Sequence, residues 1–337
     1  MFNKVYEFVK KIIKNYYKLI LLWIVVLFIS FYKFPYVIYC PGGAINLKDR
    51  IVVDDGNDYD GKLQMAYVTM RRGNLPNILL SLIIPDWDIK KEEEASLKNQ
   101  NIEQTMEIER HQMQSSIDVA TILAYKKANK YLEITQENAT VFYITDEADT
   151  TVKLLDVIKK VENKDIKNVS DIIEVVSASK ENDVLNLQVE RDNKIVEATA
   201  KVYLDAQGNL KIGIGAFTTY EYNTDPKIKV TQKTSEAGTS GGLMLSLAIY
   251  NTLVNDDITH GKTIIGTGTI SLDGTVGEID GVKYKLIGAT NKKADIFLCP
   301  KENYDEAVTV KEEYKLDIKL VSVSTFDEAL DYLKTLN

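Results

Sequence analysis

Fourteen consecutive residues near the N-terminus, Leu19 to Tyr32 (LILLWIVVLFISFY), carry no charge and no proline. Such a run must be buried in a core, placed in a bilayer or removed by processing, because exposed apolar surface costs free energy in water. Alone it falls short of the roughly 20 residues that cross a hydrocarbon core, and the apolar core of a signal peptide has about this length. The flanks extend it. Tyr16, Tyr17, Tyr36 and Tyr39 suit the membrane interface and Lys18 and Lys33 can snorkel, so the usable span reaches roughly 20 residues. No A-x-A-like cleavage site follows, and Ile38 and Tyr39 are too bulky to precede a lipidated Cys40. The expectation is a basic tail and uncleaved single-pass anchor over residues 1–35, with a cleaved signal as the alternative. Lys4, Lys10, Lys11, Lys14 and Lys18, opposed only by Glu7, give the first 18 residues a charge of +4. Basic residues before a span place the N-terminus in the cytoplasm and everything after Pro35 outside the cell.

The whole chain of 337 residues carries −8, and −8 less +4 leaves −12 on the remainder. An acidic body offers no footprint for nucleic acid. Cys40 and Cys299 lie far apart and only His111 and His260 could supply imidazole, so neither a disulfide framework nor a zinc centre is expected, and no cofactor is implied.

The chain is longer than one core usually serves. Residues 41–139 read as a β-rich and helical segment: LQMAYVTM (Leu63 to Met70) and ILLSLIIP (Ile78 to Pro85) are strand-like runs between turns. From Lys90 to Leu132 there is neither glycine nor proline, and Ile117, Ala120, Thr121 and Ala124 keep helical spacing, which predicts one long helix or two acting as a connector. Residues 140–204 alternate a strand (Thr140 to Thr145), a helix-like stretch (Val169 to Ser177) and two strands, VLNLQVER and KIVEATAKVYL. Glycine-punctuated strands then lead into a last unit, residues 208–337. The fold class is α+β.

The last unit contains EAGTSGGLMLSLAIYNTL, Glu236 to Leu253. Leu243, Leu245, Leu247, Ala248, Ile249 and Leu253 are apolar on nearly every side, which predicts a well-buried helix with Ser240 at or near its start. A helix N-terminus offers unpaired N–H groups to a developing oxyanion, and flanking glycines let a substrate backbone approach. The plain alternative is an N-cap serine in a glycine turn. A serine nucleophile needs a base. His260 is the nearest imidazole, in a polar loop. A lysine serves only where burial lowers its pKa. In DGVKYKLIGATNKKADIFLCP, Lys285 on a helix has Gly281, Val282, Gly288 and Ala289 as its three- and four-residue neighbours, a small and apolar setting. A solvated surface lysine is the alternative. Cys299, in DIFLCP, reads as a buried strand end rather than a nucleophile.

GTSGG around Ser240, followed by IGTGTISLDGTVGEIDGVKYKLIGA from Ile265 to Ala289, resembles the proteolytic domain of the Lon-type peptidases. The resemblance covers roughly Asp225 to Leu336. It implies a Ser-Lys dyad of Ser240 and Lys285, with Thr267 orienting the lysine and the backbone of Gly238, Thr239 and Gly241 forming the oxyanion turn. Thr239 stands where proline is usual, Gly241 where alanine is usual, and Ala237 where Lon proper has aspartate. No G-x-x-x-x-G-K-[ST] is present: HGKT, His260 to Thr263, lacks the earlier glycine.

Residues 140–204 resemble a PDZ domain in order and size, with Leu155 to Ile158 at its turn-strand and Val169 to Ser177 as its second helix. That implies peptide binding by strand addition, although no glycine lies between Thr145 and Leu155 to capture a carboxylate. Anchor, PDZ-like insert and terminal Lon-type domain together resemble the membrane-anchored PDZ-Lon peptidases of Gram-positive bacteria. The resemblance implies an ATP-independent serine endopeptidase outside the cell that takes peptides or flexible protein segments. It leaves a homo-oligomer open. The competing reading is a membrane-tethered scaffold that keeps the fold without turnover.

Overall fold

The structure is a computed structural model that describes residues 2–96 and 101–336. Residues 97–100, part of the helical stretch expected from Lys90 to Leu132, lie outside the described residues.

The chain opens with helix α1 (Phe2–Phe31), and the segment Val5–Phe31 is long and apolar enough to cross a membrane. Beyond it comes a mixed sheet whose early strands are β1 (Tyr36–Asn46), β2 (Lys62–Arg72) and β3 (Asp88–Lys91), with helix α2 (Leu75–Ser81) between the last two. Its later strands are β9 (Thr263–Gly266), β10 (Ile296–Pro300) and β11 (Lys319–Val323). The order is β11-β10-β9-β2-β1-β3. Strands β11, β10, β9 and β2 run parallel, while β1 is antiparallel to both of its neighbours.

Alternation along these strands divides the core. Leu63, Met65, Ile264, Ile296 and Leu298 face one helical layer, and Ala66, Ile265, Phe297 and Cys299 face the other. Both faces are covered, which is why LCP and TII read as continuous apolar runs. The first layer holds α3 (Ile102–Lys127), α5 (Gly242–Leu253) and α8 (Phe326–Lys334); the second holds α6 (Val282–Asn291) and α7 (Tyr304–Glu313). Helix α5 is enclosed on nearly every side, as its composition predicts.

A second sheet carries β4 (Tyr131–Ile144), β5 (Val157–Val161), β6 (Val184–Arg191), β7 (Lys194–Lys201) and β8 (Ile214–Asp225), in the order β8-β4-β5-β6-β7. Helix α4 (Val169–Ser177) packs on it behind a capping box of Asn168 and Asp171. Strand β8 pairs with β4 along its whole length, from Ile214 opposite Ile144 to Asp225 opposite Tyr131. Its other edge faces α3, where the Ser115 hydroxyl donates to the Thr218 carbonyl at 2.8 Å.

Three expectations need correction. Residues 41–139 are not a unit of their own: β2 pairs in parallel with β9, and α3 packs against α5. The second sheet extends from Tyr131 to Asp225, beyond the expected 140–204, because β8 returns to pair with the strand that opens it. The run Ile78 to Pro85 is no strand; Asn74 accepts from the Asn77 N–H and Pro76 occupies the first turn, which starts α2 instead.

Candidate active site

The turn before α5 is held from two sides. The Ser240 carbonyl accepts from the Gly268 N–H at 2.8 Å and from Thr267 Oγ1 at 3.0 Å, and Leu243 N–H donates to the Gly268 carbonyl at 3.1 Å. Thr267 is fully buried, and its own N–H donates to the Leu298 carbonyl at 3.1 Å. The chain leaving β9 is therefore bonded on one side to the serine turn and on the other to β10. From α3, the Glu109 carbonyl accepts from Gly238 N–H at 2.9 Å and the Ser116 hydroxyl donates to the Thr239 carbonyl at 3.3 Å.

These bonds sort the donors of the turn. Gly238 N–H is committed to Glu109 and Gly242 N–H to the Thr239 carbonyl. The amides of Ser240 and Gly241, at the start of α5, make no hydrogen bond among the described residues. Gly241, the N-cap, is one of the orphan donors that every helix N-terminus leaves, and Ser240 lies just before it. Gly238 sits at φ +91°, a conformation that an L side chain rarely adopts.

Lys285 approaches the same end of the sheet from the opposite layer, in the first turns of α6. It is only 4% exposed. Two glycines permit this burial: a Cβ on Gly288 would lie 3.2 Å from the Gly42 backbone, so α6 settles directly on the irregularity in β1 between Pro41 and Ala44. Removal from water pushes the Lys285 ammonium down to about 8, against smaller opposing pulls from Asp280 and Cys299. No hydrogen bond or ion pair engages its amine among the described residues. Lys283 behaves differently. Burial works against its ammonium too, but the hydrogen bond and charge of Asp88, 2.6 Å away, outweigh that and raise its pKa.

The parallel strands β9 and β10 thus end beside Thr267, bonded to the Ser240 turn, and Cys299, which neighbours Lys285, at the carboxyl edge where open α/β sheets form their crevices. Cys299 is fully buried, and burial, then the charge of Glu306, pushes its thiol up to about 12, which suppresses the thiolate. Cys40 is likewise a free, buried thiol. His260 is exposed in the turn before β9, at the opposite end of that strand from Thr267, a separation of roughly 13 Å at about 3.3 Å per residue. Among the described residues, no cluster of His, Cys, Asp or Glu is arranged to hold a metal ion.

Sequence reasoning treated α3 as a connector and missed its part in the site. The signal was present: Ser115 and Ser116 are small polar residues inside the apolar stripe of Met113, Ile117 and Ala120, and each hydroxyl serves a backbone carbonyl on a neighbouring segment.

Residues 216–335 match the family model of the Lon protease (S16) C-terminal proteolytic domain. The C-terminal third of the chain is thus similar to that proteolytic domain, and Val5–Phe31 is long and apolar enough to cross a membrane. Curated relatives include the Lon protease of Campylobacter concisus, 37% identical over 94 residues, and that of Metamycoplasma arthritidis, 35% identical over 96 residues. Each match covers 28% of this chain, and the chain spans 11% of the length of either relative. Among solved structures, the PDZ domain of an SdrC-like protein from Listeria monocytogenes is 20% identical, with 25% of this chain and 92% of that one covered at a TM-score of 0.23.

Proposed function

We propose that this chain is a membrane-anchored, ATP-independent serine endopeptidase that acts outside the cell through Ser240 and Lys285. The carrying observation is Lys285 itself: a buried lysine with no carboxylate partner among the described residues, its pKa lowered to about 8, at the sheet edge where the Ser240 turn is held. Such an amine is neutral in a useful fraction of molecules near physiological pH.

In the proposed reaction the Ser240 hydroxyl adds to a peptide carbonyl as Lys285 takes its proton. The amides of Ser240 and Gly241 receive the oxyanion; a good donor of this kind lowers the barrier by roughly 3 kcal/mol. The protonated lysine then gives its proton to the leaving amine, and water, deprotonated by the same group, releases the acyl-enzyme. The Thr267 hydroxyl donates to the Ser240 carbonyl, and its lone pairs remain to accept from the Lys285 amine. Peptides and flexible protein segments are the proposed substrates. The β8 edge, at the end of the second sheet, is the proposed place for strand addition by a peptide.

The test is hydrolysis of an unstructured peptide mixture by the full chain in vesicles, repeated with Ser240→Ala and Lys285→Ala. Cleavage by the unaltered chain alone is expected. Persistence in both variants removes the dyad, and no cleavage by any form leaves a tethered scaffold.

A further inference from the structure

The apolar run Ile78 to Pro85 is not spent on the core. Leu79 and Leu80, at the end of α2, are 50% and 41% exposed, and Leu82 and Ile83 just beyond it are 77% and 76% exposed. Four large aliphatic side chains within five positions form a continuous patch, unlike the scattered single residues that any surface carries.

Its place in the fold points to what covers it. After leaving α1 the chain crosses β1 and returns along β2 to the point where it began. There the Phe34 N–H donates to the Gly73 carbonyl at 2.8 Å, and Lys33 pairs with Glu92 at 3.2 Å. Helix α2 follows immediately and lies against the end of α1 as well as against β1 and β3. The patch is thus continuous with the end of the proposed span. Its borders are of the matching kind: the Arg71 guanidinium lies over the Trp87 ring, 4.8 Å from its centre, and Arg71 and Arg72 are exposed. Tryptophan with a nearby cation is suited to the headgroup layer, where the ring meets apolar and wet surroundings together.

We propose that residues 75–87 form a second membrane contact, in which Leu79, Leu80, Leu82 and Ile83 enter the headgroup–acyl boundary of the leaflet from which α1 emerges. Trp87 and Arg71 lie at headgroup depth, and Arg71 and Arg72 favour anionic lipid. The inference rests on α1 crossing the bilayer. Two attachments then set the tilt of the catalytic domain, where one helix would let it swivel. Asp88, next to Trp87, binds Lys283 and the Tyr284 hydroxyl on α6, so the contact joins the helix that carries Lys285.

The two tryptophans of the chain, Trp23 in α1 and Trp87, separate the two attachments. The full chain is reconstituted as Trp23→Phe and, separately, as Trp87→Phe, in phosphatidylcholine–phosphatidylglycerol vesicles brominated either near the headgroup or deep in the acyl chains. Trp87 emission is expected to fall roughly twofold with shallow bromine and less with deep bromine, and Leu82→Glu with Ile83→Glu is expected to abolish that fall. Both substitutions are at exposed positions, and circular dichroism checks that the fold is kept. Quenching of Trp23 with none of Trp87 overturns the proposal while leaving the anchor intact. Quenching of neither shows that α1 does not insert and removes both. Protection of Trp87 from aqueous iodide without bromine quenching, increasing with protein-to-lipid ratio, assigns the patch to a second copy of the chain and also overturns it.

Discussion

The hydroxyl of Thr267 reaches the main-chain carbonyl of Ser240 across 3.0 Å, joining residues 27 positions apart. The bond fixes the serine backbone against the end of β9, and the hydroxyl has no access to solvent. Thr267→Val keeps the shape but removes the donor, leaving the carbonyl with the Gly268 amide alone. Loss of one buried hydrogen bond should lower stability by about 1 to 1.5 kcal/mol. Thr267→Ser restores the donor and should recover most of it. Denaturant unfolding of both variants checks this.

Peptide hydrolysis should rise with pH through about 8, where the Lys285 ammonium loses its proton. In the proposed mechanism the neutral amine is the base, so the protonated form that dominates below that point should be inactive. Lys285→Arg keeps the charge at every accessible pH and should be inactive throughout the profile.

Lys285 also destabilises the fold. Its pKa is near 10.5 in the unfolded chain and about 8 in the folded one, so the folded state binds the proton less tightly. The penalty is complete below pH 8 and fades as pH rises towards 10.5. Lys285→Met should abolish hydrolysis yet increase stability at pH 7 by an amount of order 3 kcal/mol. Denaturant unfolding at pH 7 and pH 10.5 should show the gain at the first pH and little at the second.

Asp118 presents the reverse sign. It is 6% exposed on α3, and burial pushes its carboxyl up to about 6 despite hydrogen bonds from Gln114, the Tyr220 backbone and Tyr222. A raised carboxyl pKa costs nothing below the unfolded value of 3.8, costs more as pH climbs from there to about 6, and carries its full cost above that. Asp118→Asn keeps an acceptor without the charge. It should stabilise the protein at pH 7.5, by up to about 3 kcal/mol, and leave it unchanged near pH 4.

Gly238 has nothing within 4 Å of the position a Cβ would take, so Gly238→Ala meets no steric contact. The whole cost is its φ of +91°, which an alanine adopts at about 1 to 2 kcal/mol. Thermal melting should show that loss, together with reduced hydrolysis if the turn relaxes.

Local features were readable from the chain and distant pairings were not. The helix at Val169 to Ser177, the strands VLNLQVER and KIVEATAKVYL, the buried helix after Gly242 and a helix around Lys285 all follow from periodicity and punctuation within a dozen residues. The parallel pairing of β2 with β9 joins segments some two hundred residues apart and leaves no local trace, so residues 41–139 read as separate. The return of β8 onto β4 was hidden for the same reason. ILLSLIIP is too short for periodicity to distinguish strand from helix. Asn74 and Pro76 held the answer, but the run's apolarity overshadowed them. The small neighbours of Lys285 are legible in the sequence; the depth of its burial depends on Gly42, which only the fold brings beneath Gly288.

Strands β4 and β8 leave and re-enter the catalytic body side by side, laddered from Tyr131–Asp225 to Ile144–Ile214. A module hung from one flexible tether could sweep a wide arc, whereas one suspended from a closed ribbon resists twisting about its stalk. In the proposed function, a peptide gripped at the far end would reach Ser240 with a nearly constant bearing.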